Sequence, residues 1–146
     1  MSGSLSSYLA KTITASCPEG WDHSTEYELL SRDLAKRLGY MPKADLVLEA
    51  PTGQKIVVEF EISRADPVAN QAKVLLAYDC GALKRDDVFL SLLSPHLQRG
   101  RRNLAALFTR HMRGTGLPAF GVSLLPDLDG PTVAALNHLP EAALKA

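Results

Sequence analysis

The chain has 146 residues, of which 46% are hydrophobic and 22% are charged, a composition typical of a folded globular domain. Its 16 Lys and Arg residues balance 16 Asp and Glu residues, so no global charge attracts the chain to nucleic acid or to a membrane. No apolar run could span a bilayer, and the N-terminus lacks the apolar core of a signal peptide. We therefore expect a single cytoplasmic domain over residues 1–146. Cys17 and Cys80 lack the spacing of a zinc motif, and we expect two free thiols.

Two helices are predicted in the first 40 residues. Apolar residues recur at helical spacing between positions 5 and 13, which indicates a short N-terminal helix. A second helix is predicted from Ser24 or Thr25, which can cap it, to Gly39, which is typical of a helix C-terminus. Its apolar stripe consists of Tyr27, Leu30, Leu34 and Leu38.

Two strands follow, "ADLVLEA" and "KIVVEFEIS", joined by the turn "PTGQ". This pattern predicts an antiparallel hairpin. The expected register pairs Glu49 with Lys55, Val47 with Val57 and Asp45 with Glu59. Because alternate residues of a strand share a face, Glu61 joins Asp45 and Glu59 on one acidic patch.

The remaining chain alternates between helices and strands. A helix begins at Asp66 and Pro67, which suit its cap and first position, and it is apolar on most sides. The strand "DDVFLSLL" comes next, followed by a long helix that starts near Ser94 and Pro95, the strand "PAFGVSLL" and a partly helical tail. This order predicts the α/β class, with a mixed sheet that carries helices on both faces.

The strand "IVVEFEIS" carries two carboxylates on one side, Glu59 and Glu61, opposite an apolar side that is typical of a core. The simpler interpretation is a half-solvated strand with acidic decoration. However, Asp45 is expected on the same patch and Glu28 lies in the preceding predicted helix. Several acids without basic partners are costly, whereas they offer the oxygen ligands that Mg²⁺ prefers.

At these residues the chain resembles the PD-(D/E)XK nuclease superfamily, which has the restriction-endonuclease-like fold. The resemblance covers residues 24–92 and rests on "KADLVLEAPTGQKIVVEFEIS" and the following helix "DPVANQAK". It implies a metal site formed by Asp45, Glu59 and the backbone carbonyl of Phe60. It also implies that the helical acid Glu28 contributes to a second metal or its waters, with Glu26 as a rival on the same turn.

The chain departs from the family pattern at two points. Ala44 stands before Asp45, and Glu61 replaces the motif lysine, which gives an E-x-E motif similar to that of BamHI-type restriction enzymes. Lys73 could supply the missing cation from the next helix. The resemblance implies attack of a metal-activated water on a phosphodiester. Glu61 would orient or deprotonate that water, and Lys73 would contact the phosphate.

Candidate nucleic-acid contacts lie on two helices. The long helix places four arginines on one side, with apolar residues that include Leu104 near the other. These arginines are Arg99, Arg102, Arg110 and Arg113. Such a face is often merely solvated, but in a neutral chain it is the best candidate for phosphate contacts. Asn70 is a further candidate, as is Gln71, which is expected near the buried side and in need of a hydrogen-bond partner.

These observations predict a small Mg²⁺- or Mn²⁺-dependent nuclease acting on DNA. The chain has little room for a separate recognition domain, so a homodimer or a larger assembly is expected. One alternative is a catalytically inactive member of the same fold that binds nucleic acid or protein, which the missing motif lysine favours. Another is an unrelated α/β enzyme whose acids serve a different substrate.

Overall fold

A computed structural model of the chain describes residues 4–61 and 66–123, and their side chains over residues 7–61 and 66–122. The elements in chain order are α1 (Ser4–Ala15), β1 (Asp22–Glu28), α2 (Arg32–Leu38), β2 (Lys43–Glu49), β3 (Lys55–Glu61), α3 (Pro67–Asp79), β4 (Val88–Leu93), α4 (Arg99–Gly114) and β5 (Ala119–Ser123). The tail for which some helix was predicted lies outside the described residues. None of the described helices is long and apolar enough to cross a membrane.

The five strands form one mixed sheet in the order β1-β2-β3-β4-β5. β2 is antiparallel to both of its neighbours, whereas β3, β4 and β5 run parallel to one another. The predicted α/β class and mixed sheet are therefore confirmed. The hairpin register is confirmed for Glu49 with Lys55 and for Val47 with Val57, whereas the expected pair of Asp45 with Glu59 lies beyond the last pair of the ladder.

The predicted second helix is wrong in its first half. Residues 22–28 form the edge strand β1, which pairs with β2 along its length. The helix begins only after Ser31, whose side chain accepts a hydrogen bond from Leu34 N, and it ends at Gly39 with φ 77°. Tyr27 and the later leucines have helical spacing by coincidence, because pairing with β2 overrides this local pattern.

Helices cover both faces of the sheet, as predicted. On one face Leu9 and Ile13 of α1 pack against alternate residues of the central strands. On the other face α3 and α4 contribute Val74 and Met112 to a second core, which includes Phe89 of β4. Both clusters consist of apolar side chains, so the acidic residues of β3 lie next to an apolar core.

The predicted caps of α3 are confirmed, because Asp66 accepts a hydrogen bond from Ala69 N and Pro67 opens the helix. The start of α4 differs from the prediction. It begins at Arg99, with Gln98 as its cap, rather than near Ser94. Leu104, expected on the apolar side of this helix, is 52% exposed.

Candidate functional site

The site begins where β2 and β3 separate. The ladder between them ends at the pair Leu46 and Val58. Asp45 is the residue before Leu46 in β2, and its Oδ2 accepts a hydrogen bond from Phe60 N at 2.8 Å. The carboxylate of Asp45 thus occupies the position that a backbone carbonyl would hold in a continued ladder, and this fixes it beside the end of β3.

Phe60 presents its backbone to this gap. The carbonyl of the next residue, Glu61, accepts from Ser94 N beyond β4, so residue 61 directs its backbone groups away from β2. Because backbone groups alternate in direction along a strand, the carbonyl of Phe60 points to the β2 side, as its N–H does. Its oxygen therefore faces the same gap as Asp45.

Glu59 lies one residue before Phe60 and is almost completely buried, with 1% of its surface exposed. Lys73 of α3 places Nζ 2.9 Å from Glu59 Oε1 and donates a hydrogen bond to the Lys43 carbonyl at 2.6 Å. The expected approach of Lys73 to the acidic patch is therefore present in the structure. Lys73 comes from α3, whereas the motif position occupied by Glu61 is at the end of β3.

The carboxylate of Glu59 is poorly compensated despite Lys73. Lys73 approaches only Oε1, as an ion pair, and neither Glu59 oxygen has a hydrogen-bond partner within residues 4–61 and 66–123. The pKa of Glu59 is raised to about 9, first by burial and then by the adjacent Asp45 carboxyl, with Lys73 opposing the shift.

Glu61 is buried as completely as Glu59 but has a different partner. Asn70 Nδ2 donates to both of its carboxylate oxygens, at 3.1 Å and 3.0 Å. The pKa of Glu61 is raised to about 7, because burial outweighs the lowering effect of the hydrogen bond from Asn70. Asp45 and Lys73 also influence its pKa, so the three acids and Lys73 form one electrostatic cluster.

Glu28, the predicted helical acid, lies on β1 instead of a helix, as described above. Its carboxylate is 43% exposed and stands 3.9 Å from Arg32 Nη2. Its neighbour Glu26, with φ 49°, shares a cavity of about 300 Å³ with Asp45. The structure thus brings Glu26 rather than Glu28 toward Asp45, because the register of β1 with β2 places position 26 level with Asp45 and pairs Glu28 with Lys43.

Gln71 and Ser91 line the buried side of the cluster. Gln71 is fully buried and donates to the Ala105 carbonyl of α4 at 3.0 Å. It joins α3 to α4, and its burial leaves it no surface on which to contact a nucleic acid. Ser91 stands beside Glu59 in the parallel register, and its buried hydroxyl has no hydrogen-bond partner among the residues described. The sequence analysis missed Ser91, because a lone serine in a buried strand has no recognisable signal.

The arginines on the basic face of α4 differ in their exposure and in their contacts. The helix contains five arginines and no acidic residue. Arg99 and Arg110 are exposed and Arg102 is half-buried. Arg113 is engaged within the chain, because Nη1 donates to the Ala119 carbonyl at 2.6 Å and the guanidinium lies 5.3 Å from the ring centre of Phe120. Within the described residues, no hydrogen bond or ion pair holds the other three predicted arginines away from a phosphate.

The donor set suits a hard divalent cation. Asp45, Glu59 and the Phe60 carbonyl offer oxygen ligands around one gap, and the orphaned Glu59 oxygens are the groups that a cation would satisfy. Within the described part of the chain, no three His, Cys, Asp or Glu side chains form a metal-binding group. A cation here would therefore depend on two carboxylates, a carbonyl and water, which is typical of Mg²⁺.

Comparisons with models of known protein families, with curated proteins and with solved structures found no match.

Proposed function

We propose that this protein is a metal-dependent nuclease that hydrolyses phosphodiester bonds of DNA. The observation that carries the proposal is the convergence of Asp45, Glu59 and Glu61 with Lys73 at the diverging ends of β2 and β3. A buried carboxylate without hydrogen-bond partners, such as Glu59, is costly for stability alone. Such groups cluster where binding or catalysis compensates for that cost.

The resemblance to PD-(D/E)XK nucleases supports the same reaction. Its Asp strand and E-x-E strand correspond to β2 and β3, and the following helix and strand correspond to α3 and β4. Asp45, Glu59 and the Phe60 carbonyl would hold Mg²⁺ or Mn²⁺. When bound, the cation would polarise the phosphoryl oxygen and lower the pKa of a coordinated water.

Two side chains of the cluster have roles beside the cation. Glu61 would orient the attacking water or accept its proton, since its raised pKa, about 7, suits a general base at neutral pH. Lys73, now beside Glu59, would turn toward the substrate phosphate and stabilise its negative charge. This assignment fills the position of the missing motif lysine from α3.

The partner we propose is nucleic acid, bound through α4. The Gln71 hydrogen bond fixes α4 against α3, the helix that carries Lys73. A phosphate backbone bound along Arg99, Arg102 and Arg110 would therefore lie at a fixed position relative to the acidic cluster. Because the whole chain is electrically neutral, this local concentration of positive charge would supply most of the electrostatic attraction. A cytoplasmic location and a homodimer or larger assembly complete the proposal.

The test is cleavage of supercoiled plasmid, single-stranded DNA and RNA of matched length, with Mg²⁺, Mn²⁺, Ca²⁺ or excess EDTA. We expect DNA to be cut with Mg²⁺ or Mn²⁺, and weakly or not at all with Ca²⁺. An Asp45→Asn variant is the matched control for a contaminating nuclease. Full activity in EDTA, or equal activity of Asp45→Asn, would contradict the proposal.

The second candidate is a binding module of the same fold without catalysis. Lys73 favours it, because this ammonium already compensates part of the Glu59 charge. Binding of a DNA fragment without cleavage under every metal condition would support this function in place of the first.

A further inference from the structure

Asn70 occupies a special position in the cluster, although the sequence analysis assigned it to nucleic-acid contact. Its amide nitrogen donates to both oxygens of Glu61, at 3.1 Å and 3.0 Å. The two residues are nine apart in sequence, on opposite sides of the connection between β3 and α3. Their contact therefore depends on how α3 docks on the sheet.

Both partners are held firmly. Asn70 lies in the first turns of α3, where its backbone N–H donates to the carbonyl of the cap residue Asp66 at 3.3 Å. Glu61 ends β3, and its own carbonyl accepts from Ser94 N at 2.9 Å. A side chain fixed at its backbone and at both carboxylate oxygens has one orientation.

The contact also leaves Glu61 able to act. A carboxylate has about four lone-pair sites, and a single amide nitrogen uses two of them. No other hydrogen bond within the described residues uses the remaining sites, which under the proposed function would accept the attacking water. Asp45, Lys73 and Asp66 are the charged groups that act on Glu61. If Asn70 turned to contact a hydroxyl or amide of a nucleotide, it would release Glu61.

We propose that Asn70 is a positioning residue, which holds Glu61 in the orientation needed to direct the attacking water onto the phosphorus. This inference rests on the proposed nuclease function. Asn70 would act through Glu61 and would not contact the substrate. Its removal should therefore reduce turnover through Glu61 and leave substrate binding and cation binding intact.

The test is a double-mutant cycle measured on supercoiled plasmid with Mg²⁺. We expect Asn70→Ala to lower kcat by about 10- to 100-fold, as is typical when the partner of an active-site ligand is removed. KM and the affinity for Mn²⁺, measured by calorimetry, should change by less than about twofold, since neither depends on Glu61 orientation. The double variant Asn70→Ala with Glu61→Gln should be no slower than Glu61→Gln alone.

Two further variants separate this role from general disruption. Asn70→Ser keeps a polar side chain but cannot reach Glu61, so its kcat should fall as in Asn70→Ala even if the alanine variant folds poorly. Gln54→Ala removes another amide side chain, which donates to the Asp86 carbonyl in the turn at the other end of β3, and should leave kcat unchanged.

Each contrary result has its own meaning. Parent-like kcat in Asn70→Ser, or losses that multiply in the double variant, would overturn the positioning role while the nuclease proposal stands. A weaker Mn²⁺ affinity in Asn70→Ser would likewise overturn it, because it would show a general disturbance of the site. Absence of cleavage by the parent chain with any metal would overturn the proposed function, and this inference with it.

Discussion

The two ends of the strand pair β3 and β4 each bury a carboxylate, with opposite consequences. At one end Asp87 is fully buried, but Oδ1 accepts from Lys55 N and Oδ2 from Lys84 N, each at 2.8 Å. At the other end Glu59 is equally buried and its oxygens lack hydrogen-bond partners among the described residues. Burial alone therefore does not mark a functional acid.

The partners explain the difference. Asp87 satisfies two backbone N–H groups that would otherwise be orphaned, so its charge stabilises the turn before β4. Glu59 faces an acid, Asp45, which raises its pKa, and a single lysine, Lys73, which pairs with only one of its two oxygens. The first arrangement is complete without a ligand, whereas the second would be completed by a cation.

The largest expected effect is a difference in cleavage rate between a Glu59 variant and an Asp87 variant. Glu59→Gln keeps the shape of the side chain but removes a proposed cation ligand, so cleavage should fall by about 10³-fold, equivalent to about 4 kcal/mol of barrier. Asp87→Asn should cleave at the parent rate once its folded fraction is matched. Initial rates on plasmid DNA measure both. Comparable losses in the two variants would mean that the ends of the sheet do not differ in function.

A second prediction separates the catalytic roles of Glu61 and Lys73. Glu61→Gln should lower cleavage by about 10²-fold, because the amide cannot accept the proton of the water. Lys73→Ala tests the cationic role on the same substrate. A large loss in Lys73→Ala with a mild loss in Glu61→Gln would move the main role to the lysine. Parent-like rates in both would remove the two residues from the chemistry.

The same two substitutions should affect stability in the opposite order, because the Asp87 variant should lose stability and the Glu59 variant should gain it. Asp87→Asn should lower the free energy of unfolding by about 1–3 kcal/mol, since its amide nitrogen would face a backbone N–H. Glu59→Gln should raise the free energy of unfolding at pH 8, because it removes the cost of keeping a proton on Glu59 in the folded state above the ordinary pKa of a carboxyl group. Urea denaturation checks both, and a destabilised Glu59→Gln would show that its charge is already compensated.

The pH dependence follows from the same comparison. The folded protein keeps a proton on Glu59 up to about pH 9, whereas the unfolded chain loses it near the ordinary value. The folded state therefore binds more protons between these limits, and stability decreases as the pH rises through them, by at most about 1.4 kcal/mol per pH unit from this group. Glu59→Gln should flatten that slope.

The smallest expected effect concerns the basic face of α4. Replacing Arg102 and Arg110 together with Ala should weaken binding of a DNA duplex by about tenfold at low salt and reduce the slope of log affinity against log salt by about two. Fluorescence anisotropy at several salt concentrations measures both quantities. Unchanged affinity and slope would mean that this face is only solvated.

The sequence predicted the hairpin and its acids because strand alternation and the turn leave few registers. It also placed Lys73 on the right side of α3, since helical spacing from the Asp66 cap is reliable. It misassigned β1, whose apolar spacing fits a helix until pairing with β2 is known. The contact between Asn70 and Glu61 depends on helix docking, and one of the two hydrogen bonds of Asp87 comes from Lys55 N, 32 residues away, so neither could be read from local pattern.

The most direct test of the difference between the two buried acids is calorimetric titration with Mn²⁺ in the absence of substrate. The parent chain and Asp87→Asn should bind the ion with equal affinity, at about one ion per chain. Glu59→Gln should bind at least about 100-fold more weakly, because it lacks the proposed ligand. No binding to the folded parent chain, or equal binding to Glu59→Gln, would contradict the assignment of Glu59 to a cation site.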